Sequence, residues 1–251
     1  MQTRVKTPVE IKAMRESGRL LATVLATLKE AVEPSMTTKD LAEIAERELR
    51  GTGGLPAFLG QYGFPDVICI SLNDEIVHGI PSPKRVIKTG DIVSMDFGVK
   101  YDGMITDSAT SVIAGKLSNE RVSKLLRDTE ASLFAGLDVL KDGVKVGDIA
   151  NSIEQVLKRG GYGIVRDMVG HGVGHELHEE PNIPNYGNKG TGPTLSAGMT
   201  IAIEPMATLG DFRVFIDIDG WTVRSNDKSL AAHFEHTVLI TETGSEVLTM
   251  L

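Results

Sequence analysis

The spacing of apolar residues changes period several times along the chain, and each change marks an element. From Pro8 to Ala31, Ile11, Met14, Leu20, Leu21, Val24, Leu25 and Leu28 recur at helical spacing. Pro8 suits a first helical turn. A second helix is predicted after Pro34-Ser35-Met36-Thr37, with Thr38 or Asp40 as its cap and Leu41, Ile44, Ala45 and Leu49 as its buried face. Gly51, Gly53 and Gly54 end it. The pattern then becomes that of strands: a buried run over residues 67–72, a turn at Asn73-Asp74, a strand over 92–99 and its return over 104–113. Helical spacing resumes over about 119–140 and 148–158, with breaks at Asp142-Gly143 and Gly160-Gly161. After a loop rich in Gly, Pro and Asn, further strands are predicted over 200–203, 214–218, 221–223 and, as the last long one, 233–240.

This order repeats. Asp40-Leu41-Ala42 and Asp148-Ile149-Ala150 each open a helix, 108 positions apart. Gly90 and Gly198 keep the same offset, as do Asp96 and Glu204. His78-Gly79-Ile80-Pro81 and His178-Glu179-Glu180-Pro181 share His-x-x-Pro at an offset of 100. The expected architecture is one domain, 1–251, made of two similar halves of about 1–115 and 116–251, with a site on the pseudo-two-fold axis. Helices segregated from antiparallel strands make it α+β.

Composition narrows the function. With 41% hydrophobic and 24% charged residues, the 251-residue chain is of ordinary soluble globular type. A net charge of −8 and no basic stripe argue against specific nucleic-acid binding or an anionic membrane partner. Carboxylates gathered around a cation would contribute to that excess. Cys69 is the only cysteine, so no intrachain disulfide and no cysteine zinc site can form. No run approaches the roughly 20 apolar residues of a membrane span, and residues 1–19 carry no apolar targeting core. A cytoplasmic protein is expected.

The candidate chemistry lies in residues 168–181. Three histidines and three glutamates fall between His171 and Glu180, introduced by Gly170, Gly172 and Gly174. The zinc-protease helix does not fit, because His175-Glu176 is followed by histidine three positions later rather than four. Imidazoles on so open a backbone suit ligands or proton carriers. Elsewhere, alternation puts Asp96 with Ser94 and Gly98, opposite Val93, Met95, Phe97 and Val99. Asp107, Glu204 and Glu235 also read as mid-strand carboxylates, positions where acids are uncommon and costly. A two-residue loop at Tyr101-Asp102 would set Asp96 directly opposite Asp107. Two facing carboxylates need a proton or a cation between them. An oxygen-rich set with one imidazole suits two divalent first-row ions.

Taken together, these motifs resemble those of the type I methionine aminopeptidases, within the wider pita-bread metallopeptidase family that includes aminopeptidase P and prolidase. The resemblance spans essentially the whole chain. It rests on Met168-x-Gly170-His171-Gly172-Val173-Gly174-x-x-x-His178 with Ile183 and Asn185-Tyr186, and on Asn73-Asp74-Glu75-Ile76-Val77-His78-Gly79-Ile80-Pro81. Met95-Asp96, Thr106-Asp107-Ser108, Ile203-Glu204-Pro205 and Phe234-Glu235-His236-Thr237 complete it. It implies a pita-bread fold and removal of the initiator methionine from peptides and nascent chains. It implies two divalent ions (Co, Mn, Fe or Zn) held by Asp96, Asp107, His171, Glu204 and Glu235, with Asp107 and Glu235 bridging. Glu204 would shuttle a proton, His178 would serve the carbonyl oxygen, and His78 the scissile nitrogen or the second residue's backbone. The methionine pocket would be walled by Phe58, Gln61, Phe64, Cys69, Leu177 and Trp221. Phe58, Gln61 and Leu177 depart from the commoner cysteine, tyrosine and phenylalanine. His175, His233 and His236 receive no role. The implied partner is a peptide or nascent-chain N-terminus, with transient ribosome contact, no membrane and a monomeric state. Two alternatives stand beside this one. An Xaa-Pro aminopeptidase or prolidase would carry a further N-terminal domain, and a non-catalytic pita-bread binding protein would lack a ligand or show a basic patch.

Overall fold

In the computed structural model, which describes residues 3–116 and 119–251, helix α1 runs Pro8–Ala31, as its period predicts. Thr7 caps it: its hydroxyl accepts from the Glu10 amide, and the Glu10 carboxylate accepts from the Thr7 amide in return. Helix α2 is Thr38–Leu49. Its cap is Thr37 rather than Thr38 or Asp40. Thr37 Oγ1 accepts from the Asp40 amide at 3.2 Å, and Asp40 answers at the Thr37 amide at 2.7 Å. Asp40 is therefore the acidic third residue of a capping box, and Thr38 the first helical residue. Helices α3 (Glu120–Leu137) and α4 (Val146–Gly160) lie where helical spacing resumes.

The strand predicted over 92–99 extends to Ile92–Tyr101 and pairs along its whole length with Met104–Ile113. Here the expected register is wrong by two residues. The turn is Asp102-Gly103, with φ of +46° and +82°. Two successive positive φ angles define the tight hairpin turn that favours Asp-Gly over Tyr-Asp. Asp107 accordingly faces Gly98, and Asp96 faces Ala109. An even shift keeps both carboxylates on one face of the ribbon, as diagonal neighbours instead of direct opposites.

The long strand expected over 233–240 is broken into Ala231–His233 and His236–Ile240. Its partner is broken opposite, into Thr200–Ile203 and Met206–Thr208. Pro205 lacks an amide to continue the ladder. Glu235 instead exchanges backbone bonds with Ala109 of the first hairpin, at 2.9 and 3.3 Å. Glu204 and Glu235 thus sit at facing strand breaks, not in mid-strand; only Asp96 and Asp107 occupy the expected setting. The other strands are shorter than predicted or displaced: Cys69–Leu72, Val214–Ile216 and Val223–Ser225.

Positions 108 apart are structurally equivalent. Asp148 closes a box on the Lys145 amide at the start of α4, as Asp40 does at α2. Gly90 and Gly198 both precede a strand, with φ of +88° and +87°. Isolated bridges join Thr37 to Val86 and Lys145 to Thr194. The apolar core divides in the same way. Leu21, Leu28, Leu41 and Phe97 lie on one side, and Leu125, Leu133, Ile149 and Ile201 on the other. The architecture is α+β, with helices covering antiparallel sheets in two pseudo-symmetric halves. No helix among the described residues is long and apolar enough to cross a membrane.

Candidate metal centre and substrate cavity

Contacts between the halves set Asp107 and Glu235 side by side. The Asp107 amide donates to Thr237 Oγ1 at 2.8 Å, and that hydroxyl donates back to the Asp107 carbonyl at 2.7 Å. The Ser108 hydroxyl donates to the Glu235 carbonyl at 2.6 Å. His171 lies in the strand Gly170–Gly172, inside a five-stranded sheet. Its flanking glycines serve close approach: a Cβ on Gly170 would meet the Ala202 carbonyl at 2.4 Å, and one on Gly172 the Glu180 carbonyl at 2.8 Å. The His171 Nδ1–H donates to the Gly172 carbonyl at 2.9 Å, which leaves the Nε2 lone pair free, 3.5 Å from Glu204 Oε1. Ligand atoms of Asp107, His171 and Glu235 lie within 4.8 Å of one another. Asp96 and Glu204 line the same cavity.

This acidic cluster is not neutralised by protein. No lysine or arginine lines the cavity among the described residues. Asp96 Oδ1, Asp107 Oδ1 and Glu235 Oε1 are buried without a hydrogen-bond partner among the described residues. Burial pushes the Asp96 carboxyl up to about 7. Burial, then repulsion from neighbouring carboxylates, pushes Asp107, Glu204 and Glu235 well above their ordinary range. Orphaned oxygens and an imidazole held in its ligand tautomer, beside a Cys69 thiol that burial and then Asp96 keep protonated, fit divalent cations. A pH dependence follows for the metal-free protein. Each carboxyl has a higher pKa folded than unfolded, so the folded state keeps protons that the unfolded chain releases. Stability is full below the ordinary carboxylate range and falls as pH rises through about 7. The metal-free Tm is expected to be lower at about pH 8 than at about pH 5. Added Mn²⁺ should raise it most at the higher pH, and a flat metal-free profile would contradict the cluster's mutual repulsion.

The cavity, of about 300 Å³, also has apolar walls. Phe58, Phe64, Cys69 and Leu177 are buried in one cluster that also packs Trp221, and Phe64 meets Trp221 edge-on at 5.2 Å. Gly98 makes room for Phe58, whose ring a Cβ there would approach to 2.6 Å. Gln61 joins the lining. His78 and His178 line the same cavity, with the His178 ring 4.5 Å from that of His171. Burial, then His178, holds the His78 pKa down at about 4. His78 has φ of +61°, a left-handed conformation rare outside glycine. Glu75 supports that turn. It accepts from the Leu72 amide and pairs with Arg85, whose guanidinium also donates to the Ile70 and Ile80 carbonyls. Its other oxygen accepts from Arg224 at 2.8 Å, on the hairpin that carries Trp221.

The family description "Metallopeptidase family M24" matches residues 12–242. The chain belongs to metallopeptidase family M24. This M24 chain is 46% identical to "Methionine aminopeptidase 1" of Bacillus subtilis, over 97% of its own length and 98% of that protein. It is 43% identical to the "Methionine aminopeptidase" of Clostridium acetobutylicum, over 98% of both. Among solved structures it matches a methionine aminopeptidase from Thermotoga maritima with a TM-score of 0.97, at 43% identity and full coverage of both chains. A prolidase from Pyrococcus furiosus shares the fold at a TM-score of 0.78 and 25% identity, over 98% of this chain and 65% of that one. Its pita-bread architecture is therefore that of the M24 enzymes.

Every expected site residue of this M24 chain lines the one cavity, and so do residues that sequence reasoning passed over. The Tyr62 ring stacks near His178, with 6.1 Å between centroids; nothing in its glycine-flanked setting signals this. Glu179 also lines the cavity and is paired to Lys6 at 3.1 Å, both side chains fully buried. His233 is 1% exposed, with Nε2 at 3.8 Å from Glu204 Oε2 and 3.9 Å from Glu235 Oε2. Its parity with Glu235, two residues on, was the available signal. The remaining histidines have structural partners: His175 pairs with Glu10 at 2.8 Å, and His236 with the Thr249 hydroxyl at 2.9 Å.

Proposed function

We propose that this protein is a methionine aminopeptidase that hydrolyses the first peptide bond of peptides and nascent chains beginning with methionine. One observation carries the reading: an uncompensated cluster of buried carboxylates and an apolar cluster line a single cavity, together with two histidines whose pKa burial lowers. Both the polar and the apolar demands of an N-terminal methionyl bond are thereby met side by side. The names of the similar proteins support the same substrate.

Asp96, Asp107, His171, Glu204 and Glu235 would hold two divalent ions. Four ionised carboxylates and one neutral imidazole carry four negative charges, which two such ions balance. Asp107 and Glu235, pinned side by side by Thr237 and Ser108, are the pair suited to bridge them. Divalent cations there would acidify a water toward neutral pH and polarise the peptide carbonyl. Glu204 would take the proton and pass it to the leaving amine. His178 would donate a hydrogen bond to the carbonyl oxygen as charge develops on it. His78, kept neutral, would donate to the backbone of the second residue. Phe58, Gln61, Phe64, Cys69, Leu177 and Trp221 would enclose the methionine side chain. The same reading has the protein act as a cytoplasmic monomer that meets nascent chains in transient contact with the ribosome.

A Met-Gly-x peptide and an x-Pro peptide, each assayed with Mn²⁺ or Co²⁺ and then with chelator, decide the substrate class. The expected result is methionine release that chelator abolishes and metal restores. Cleavage of the x-Pro peptide instead would reassign the protein to the prolidase branch of the fold. Activity on neither would leave a binding protein.

A further inference from the structure

His233 is the most deeply buried imidazole at the site, and neither ring nitrogen has a partner among the described residues. Leaving buried polar groups unpaired is destabilising, so the ring calls for a function. Its backbone is not free to move away. The His233 amide donates to Ser111 Oγ at 3.0 Å, and that hydroxyl donates to the His233 carbonyl at 2.7 Å. Ser111 is fixed in turn by Ser94 at 2.7 Å, and His233 is paired in register with Met206. The ring therefore presents Nε2 almost equally to Glu204 Oε2 and Glu235 Oε2. A shift of under about an ångström in either carboxylate brings it within hydrogen-bonding distance.

The surroundings of the ring select its tautomer. With cations bound and both carboxylates ionised, a proton on Nδ1 would leave the Nε2 lone pair facing two negative charges. With the proton on Nε2, a single N–H is shared between them. His171 differs in this respect: the Gly172 carbonyl fixes its proton on Nδ1 and frees Nε2 for a metal. No carbonyl performs that service for His233, whose Nδ1 is unpartnered among the described residues.

We propose that His233 is a positioning residue of the metal centre, donating Nε2–H to the Glu204 and Glu235 carboxylates and holding both turned toward the cations. The inference rests on the metal-binding reading above and adds a sixth side chain to it. Hydrogen bonds behind metal ligands orient them, and losing one weakens metal affinity by roughly 10–100-fold.

The test is calorimetric titration of Mn²⁺ into metal-free wild type, His233→Gln and His233→Met. Glutamine keeps an N–H donor of similar reach, whereas methionine fills the space without one. The expected result is affinity within a few-fold of wild type for His233→Gln and a loss of roughly 10–100-fold for His233→Met. Equal affinity of all three proteins would overturn the role of His233 while leaving the metal site intact, and so would equal loss in both variants. A wild type that binds no Mn²⁺ would overturn the metal centre and this inference together. Should His233→Met fail to fold, imidazole ¹⁵N shifts of the wild type loaded with diamagnetic Zn²⁺ decide the matter. A protonated Nε2 agrees with the proposal, and a protonated Nδ1 refutes it.

Discussion

Replacing Glu204 by glutamine is expected to lower kcat by roughly 10²–10⁴-fold at saturating Mn²⁺, the range over which a positioned proton carrier acts. The amide matches the carboxylate in shape but cannot accept the proton that an attacking water must lose. Glu204 suits this role among the four acids because it borders the open part of the cavity, its side chain 12% exposed, whereas that of Glu235 is 2% exposed. The Glu204 carbonyl accepts from the fully buried Asn185 side chain, so the backbone holds its place in the variant. Saturating metal separates lost proton transfer from weakened metal binding. The same change should stabilise the metal-free protein above about pH 7, because it removes one of the buried acids that repel each other. A near-normal kcat would eliminate the shuttle role.

Lys6→Met is expected to destabilise the protein by about 3–5 kcal/mol, because it strands the Glu179 carboxylate inside the fold. For a chain of this size that lowers Tm on the order of 10 °C. Burial works against the Glu179 charge, yet Thr3, Lys6 and the Glu176 amide outweigh it and keep the carboxyl below its usual range. The Lys6 ammonium is held in place for this pairing, since it also reaches Thr3 Oγ1 at 3.0 Å and the Arg4 carbonyl at 3.2 Å. Glu179 Oε1 meanwhile accepts from the His175 amide at 2.7 Å and the Glu176 amide at 3.1 Å. Those bonds shape the turn that delivers Leu177 and His178 to the cavity, so kcat should fall with stability. Adding Glu179→Gln to the Lys6→Met background should recover most of the loss, since the amide oxygen still serves both backbone donors. If the double variant is no more stable than Lys6→Met alone, the buried charge is not the cause.

Local patterns carried much of this fold because they are local. The period of α1, the break after α2 and the parity of Asp96 and Asp107 follow from side-chain direction along a single element. The hairpin register did not, because it depends on which two residues tolerate positive φ, and Asp102-Gly103 does so better than Tyr101-Asp102. The strand breaks at Glu204 and Glu235 were hidden for a different reason. They arise where Pro205 of one segment meets Phe234 of another, which no single stretch of sequence displays. The motifs that resemble a known family singled out five acidic and imidazole positions, and the fold gathers all five in one cavity. His233, Tyr62 and the Lys6–Glu179 pair lie outside those motifs, and only three-dimensional proximity brings them into view.

The bonds that Thr237 and Ser108 make across the two halves have a consequence for how the protein matures. Asp107 and Glu235 become neighbours only when late strands of the chain close onto early ones. If these two carboxylates hold the ions as proposed, ion capture would follow that closure, and a captured ion would slow its reopening. Amide hydrogen exchange should slow together at 104–113 and 236–240 on loading with Mn²⁺, linking the two segments into one cooperative unit.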